Sequence, residues 1–398
     1  MVTVSKRDVE KPQAQGIIDR IGELRPWLRE QQPVAEQQRR VPQETVERLD
    51  ATGVFSVTTP TRFGGPDFTA RELLEIYRVL ASGCGATAWM VWAAAGGNGW
   101  SFAFPDEVVE PVFTGAWVGN RTFAVGGATP SRRMVGFGRQ VDGGWMVTGA
   151  WPFATGSVHA SHGYLTVFYS ETDDSKIGIA LVPKDSLVLR DDWDPIGLAG
   201  TGSGTVATDG EIFVPNDHFG TLDQFEERIA DRFREGRGPR RGGLTRGGVV
   251  GAGLALGMAD HAMEAYLQAI ERRNIPGTPY AKQLEAPITH LTVGRAHNQI
   301  RAAAAVAESA MSALDRYDAE DREPSEQEVL QLHADAAYVW DACASAVEML
   351  YRGSGASAVL KRQPLQLIAR NCRAGSLHAG FNIDTRMENL GRAICGIV

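Results

Sequence analysis

The run WPFATGSVHASHGYL, Trp151 to Leu165, decides how this chain is read. It follows a turn signal, DGG at Asp142 to Gly144, and it starts as a strand does. Trp151 and Phe153 alternate with other residues, so they share one face. Thr155, Gly156, His159 and His162 then crowd in behind them. The stretch is either a strand that carries polar residues or the wall of a binding site. Aromatics are most often core, and threonine suits strands on its own account. Gly156 points the other way, because glycine lets a backbone come close to a flat ring.

Around this run the texture changes twice. From about Gln15 to Pro111, apolar residues recur at three- and four-residue spacing, as in IIDRIGELRPWL and ETVERLDATGVF. Thr69 with Glu72 forms a capping box ahead of ELLEIYRVLA, and RFGGPDF (Arg62 to Phe68) interrupts the helices. From about Gly119 to Asp217, short runs rich in Val, Thr, Phe and Tyr alternate with Gly and Asp turns. From about Gly247 onward the helical period returns in long alanine-rich stretches, which suits closely packed helices. The join, FEERIADRFREGRGPRRGGLTRGG (Phe225 to Gly248), reads as a solvated loop in preference to a lid. The expected division is residues 1–118, 119–222 and 223–398.

Composition excludes several classes. The hydrophobic fraction of 43% and charged fraction of 22% are those of an ordinary globular protein. A net charge of −8 argues against nucleic acid as a partner, since phosphate binding needs a basic face. Cys84, Cys343, Cys372 and Cys395 lie far apart, without metal-ligand spacing, and read as reduced thiols in a cytoplasmic protein. No apolar run approaches membrane-spanning length, and the N-terminal residues show no signal-peptide pattern.

The order of PTRFGGPDFT, ASGCGATAWM, DGGWMVTGAWPFATG, GLAGTGSGTV and EIFVP resembles the acyl-CoA dehydrogenase fold family. That resemblance implies an α+β, mostly α fold: an N-terminal helical domain, a middle β-barrel or sandwich domain and a C-terminal four-helix bundle. Within the family the chain lacks the glutamate turn of the dehydrogenase branch, and Glu388 lies further along, as a helix-surface residue. RNCRAGSLH (Arg370 to His378) and WPFATGSVHASH instead resemble the two-component (group D) flavin-dependent monooxygenase branch. Thr155 stands where that branch has serine, and His162 where it usually has tryptophan.

The resemblance implies reduced FMN or FAD from a separate flavin reductase, O2 and a small-molecule substrate, within a homotetramer. The chain carries no dinucleotide fingerprint of its own, which agrees with a separate reductase. His378 becomes the candidate base that activates the substrate, against a helix histidine bonded in the core. Thr155 could face the flavin N5 and steady the peroxide, with Trp151, Phe153 and Gly156 as further flavin wall. By the same likeness Thr201 and Ser203, in GTGSGT, touch the flavin or its phosphate. Arg272, in AIERRNIPG, matches an arginine that reaches the cofactor of a neighbouring subunit. Trp89 and Trp92, on a helix, are core or pocket aromatics. His159 and His162 are pocket residues or strand-end polar groups; no third ligand follows them, so metal is rejected. Hydroxylation of an aromatic or polycyclic compound in a biosynthetic pathway leads. N-oxygenation of an amine such as an amino sugar, acyl-CoA dehydrogenation and a non-catalytic scaffold are the alternatives.

Overall fold

The computed structural model describes residues 13–125, 136–236 and 238–397. On the N-terminal side the periodic apolar residues form α1 (Ala14–Gln38), α2 (Gln43–Asp50), α3 (Ala70–Gly83), α4 (Gly85–Gly97) and α5 (Asp106–Thr114). The capping box at the start of α3 is made: the Glu72 amide donates to Thr69 Oγ1 and the Thr69 amide to the Glu72 carboxylate. Two of the first turn's free amides are satisfied in this way. α4 is buried nearly all round, so it runs through the molecule instead of lying on it.

The strands are β1 (Asn120–Val125), β2 (Gly136–Val141), β3 (Gly144–Trp151), β4 (Ala160–Phe168), β5 (Ile177–Pro183), β6 (Val188–Leu189), β7 (Val206–Ala207), β8 (Ile212–Pro215) and β9 (Phe219–Thr221). They form a mixed sheet of order β6-β7-β3-β2-β4-β5-β9, with β1 beside β4 and β8 beside β3. The DGG turn closes the β2–β3 hairpin. At the far end of β3, Trp151 pairs with Val206 of β7. That register sets the turn after β3 against the loop before β7: the Ala154 amide donates to the Gly204 carbonyl and the Gly156 amide to that of Thr201.

The C-terminal part comprises α6 (Leu222–Arg234), α7 (Gly243–Val249), α8 (Ala252–Ile270), α9 (Pro287–Ala319), α10 (Glu326–Gly353), α11 (Pro364–Ser376) and α12 (Ile383–Ile394). Helices α8 to α11 pack as a four-helix bundle, and α3 lies along α8. Gly253 and Gly257 permit that approach, since a Cβ on either would drive into a carbonyl oxygen of α3, of Leu74 and Arg78 respectively. The Phe225–Gly248 stretch is not the solvated loop its composition suggests. Its first half is helix α6, where Arg232 is buried and paired with Asp106. Arg240 and Arg246 both pair with Asp318 at the end of α9, and Arg240 also with Asp67. Acid partners distant in sequence convert the charge run into a clamp.

No described helix is long and apolar enough to cross a membrane. Cys84, Cys343 and Cys372 are buried thiols and Cys395 is exposed.

Candidate functional site

Two groups of side chains stand where the β sheet meets the helices. The first is built on the turn after β3. Phe153 adopts φ 62°, costly for a residue with a Cβ, yet it is 58% exposed, with the ring of Trp193 5.9 Å away and nearly perpendicular. An exposed aromatic in a strained backbone is fixed for contact, not for packing. Gly156 has φ 72°, and a Cβ there would strike Asn120 and Met90 of α4. Between them, half-buried Thr155 begins a chain of hydroxyls. Its Oγ1 lies 2.7 Å from Ser203 Oγ, which lies 2.7 Å from Thr201 Oγ1, which donates to the Leu198 carbonyl at 2.8 Å.

This geometry corrects three expectations. Thr201 and Ser203 are 2% and 3% exposed, so in this chain they present no surface of their own and meet Thr155 from behind. Trp151 is fully enclosed in the sheet's core, with its indole N–H donated to the Thr166 carbonyl, and offers no surface to a cofactor. It holds the sheet on which the turn rests.

The second group surrounds His378. This residue lies in the turn just past α11, not within a helix. The rings of Trp89, Trp92 and Phe381 stand 5.4, 5.9 and 5.5 Å from its imidazole, and Trp340 packs behind Trp89 and Phe381. The residue as a whole is exposed, although its ring lies against these aromatics. Even so, desolvation by its neighbours, and then the Arg386 charge, push its pKa down to about 4. Its Nδ1 accepts the Gly380 amide at 3.1 Å, so in the neutral ring the proton sits on Nε2. Arg386 donates to the Ala379 carbonyl, and its buried Nε has no partner among the described residues.

α4 joins the two groups, since Met90 backs Gly156 while Trp89 faces His378. α11 joins them again. The Leu198 amide at the root of the hydroxyl chain donates to Asn371 Oδ1 at 2.7 Å, and His378 follows α11 in the chain.

The remaining candidates fall elsewhere. His159 is buried and bonds the Val41 carbonyl through Nε2 at 2.8 Å; burial, then the Arg40 and Lys184 charges, lower its pKa. It ties the sheet to the N-terminal helices and does not face the aromatic ring. His162 bonds Ser161 beside β1, and its pKa is lowered by burial and then by His218. Neither joins His378. Arg272 lines a separate cleft of about 1300 Å³ along the bundle, with Arg352 and Arg373 also in its wall. Leu377 lines that cleft too, so the α11 terminus separates it from the ring around His378. Glu388 is exposed on α12 and pairs with Arg392. Among the described residues no three metal-binding side chains stand together.

Sequence reasoning missed Asn371, Trp340, Phe381 and Arg386 as neighbours of these groups, and read Trp92 with Trp89 as core or pocket. Trp92 carried a signal, three residues after Trp89 and so on the same helix face. The others come from distant elements and carried none.

Comparisons with known proteins agree with this architecture. The family described as acyl-CoA dehydrogenase, N-terminal domain, matches residues 22–103, and its C-terminal domain matches residues 249–383; together they span more than half of the chain. The chain is 26% identical over 389 residues to the flavin-dependent monooxygenase oxygenase subunit HsaA of Mycobacterium tuberculosis (strain CDC 1551 / Oshkosh), covering 95% of this chain and 94% of that one. It is 25% identical over 397 residues to the oxygenase component of the FADH2-dependent resorcinol hydroxylase of Rhizobium sp., covering 96% and 94%. The solved structure of XiaF from a Streptomyces species, in complex with FADH2 and glycerol, superposes with a TM-score of 0.87 at 24% identity, covering 96% of both chains. The chain belongs to the acyl-CoA dehydrogenase family, and these two sequence relatives are oxygenase components of flavin-dependent monooxygenases.

Proposed function

We propose that this protein is the oxygenase component of a two-component flavin-dependent monooxygenase that hydroxylates a phenolic aromatic with O2. Its reduced flavin comes from a separate reductase. Bound reduced flavin supplies the electrons that activate oxygen. The residues fit such a group: Phe153 offers an exposed ring, Thr155 a half-buried hydroxyl, and Gly156 a close backbone. One observation carries the reading: a neutral histidine ringed by Trp89, Trp92 and Phe381, joined through α4 to the Thr155 turn.

Flat aromatic rings pack well against such walls, and the walls keep water away. Imidazole with a pKa of about 4 is a weak base, and Nδ1 is already engaged. His378 therefore serves as an Nε2–H donor that holds the substrate as its phenolate, whose proton has gone to solvent on binding, and stabilises that charge. This replaces the role of substrate base expected from sequence. The Arg386 charge nearby favours a phenolate over a protonated amine, so carbon hydroxylation is preferred to N-oxygenation. The named relative acting on resorcinol supports the same class.

Arg272, Arg273, Arg352 and Arg373 line this cleft against two carboxylates, Asp341 and Glu348, and the excess of guanidinium groups suits a diphosphate. This supports FAD over FMN, with the diphosphate belonging to a neighbouring copy. Exposed Ile288, Leu291 and Leu377 on the bundle support the homotetramer, and the free thiols suit a cytoplasmic setting.

The test mixes the protein with reduced FAD under argon, then adds O2 and a panel of phenols and analyses products by mass spectrometry. A product one oxygen atom heavier than its phenol is expected. Hydrogen peroxide alone from every phenol, with no oxygenated product, defeats the reading.

A further inference from the structure

The hydroxyl chain behind Thr155 has a direction. The Leu198 carbonyl can only accept, so Thr201 commits its single hydroxyl hydrogen there, at 2.8 Å. The bond between Thr201 and Ser203 must then be donated by Ser203, and the bond between Ser203 and Thr155 by Thr155. The other acceptor in reach of Thr155, the Phe153 carbonyl at 3.5 Å, also lies within the protein. Every hydroxyl hydrogen of the chain points inward, and Thr155 presents only lone pairs outward. The root of the chain is held firmly. Leu198 has φ 56°, and buried Asn371 of α11 accepts its amide at 2.7 Å. The Thr201 amide adds a second bond to the Leu198 carbonyl, at 3.0 Å.

We infer that Thr201 and Ser203 select the oxidation state of the bound flavin, by leaving Thr155 an acceptor. Reduced flavin carries a hydrogen on N5 and can donate it to Thr155. Oxidised flavin has a lone pair on N5, which would face the lone pairs of Thr155. The inference rests on the reading of the Phe153–Gly156 turn as the flavin wall. Thr201 and Ser203 are positioning residues, because both are buried behind Thr155.

The test measures affinity of the full chain for oxidised FAD in air and for chemically reduced FAD without oxygen. Wild type binds the reduced form more tightly. In Thr201→Val the Ser203 hydrogen is released toward Thr155, whose own hydrogen can then turn to the ligand. The preference for reduced FAD should shrink by about two- to twelvefold, the worth of one net hydrogen bond. It should shrink because oxidised FAD binds more tightly, and Thr201→Ser should restore the wild-type ratio. If Thr201→Val fails to fold, as circular dichroism will show, Ser203→Ala tests the same point by removing the acceptor that Thr155 uses. A folded variant with an unchanged ratio, or one in which both affinities fall together, overturns the inference alone. Wild type that binds neither form overturns the flavin reading and the inference with it.

Discussion

The turn after β3 and the ring around His378 solve different problems with different materials. The turn is polar, directional and mostly local: Phe153, Thr155 and Gly156 are consecutive or nearly so, and their partners come from one facing loop. The ring is apolar and assembled from afar, with Trp89 and Trp92 from α4, Trp340 from α10, and His378 and Phe381 from the link between α11 and α12. Hydrogen-bond direction needs a fixed backbone, which the strained φ of Phe153 and Leu198 reflects. Removal of water needs surrounding bulk, and only several elements together can provide it. The two regions should therefore respond differently to perturbation.

The largest expected effect is at the ring. His378→Ala should lower hydroxylation by roughly ten- to a hundredfold, the worth of a hydrogen bond to a charged group, with reduced-flavin affinity unchanged in a binding titration. His378→Asn, which keeps an N–H donor, should retain part of the rate. Equal loss in both variants would return His378 to the role of base.

Next comes a pH effect, largest on the helical side, since burial lowers His159 and His162 of the sheet side as well. Burial lowers His261 of α8 to about 3 and His333 of α10 to about 4, and His378 shares this depression. Their folded pKa values lie below the unfolded one, so between about pH 6.5 and 4 the unfolded chain binds more protons. Stability is thus full above pH 6.5 and falls as the solution is acidified, on the order of 2 kcal/mol at pH 5 for His261. Thermal melts at pH 8 and pH 5 should show the drop, and His261→Gln should reduce it. The hydroxyl chain has no titrating group and should be indifferent to this range.

The smallest effect belongs to the turn. Thr155→Val should weaken reduced flavin by at most about tenfold, since one hydrogen bond is lost, and should raise the hydrogen peroxide released per turnover. Unchanged coupling of oxygen use to product would make Thr155 an ordinary turn residue.

What was legible follows the same division. The capping box at Thr69, the DGG hairpin and the helix–strand–helix order were readable because they depend on neighbours in sequence. The alternation at Trp151 and Phe153 predicted one shared face, and the structure separates the two rings. Trp151 went to the core, while the positive φ at Phe153 turned its ring outward. His159 and His162 looked like site residues because they lie close in sequence to Thr155. Instead His159, in the turn before β4, bonds the Val41 carbonyl, and His162, on β4, bonds Ser161.

The sequence by itself determined the family, the three textures and the local turn that carries Thr155, since periodicity, capping and turn chemistry act over a few residues. Tertiary structure alone decided the charge state of His378, the direction of the Thr155 chain and the pairing of Arg240 and Arg246 with Asp318. Each of these depends on water being displaced, or an acceptor being supplied, by residues distant in the chain. The strength of electrostatics and hydrogen bonds is set by what surrounds a group in space, and that is fixed only when the elements pack.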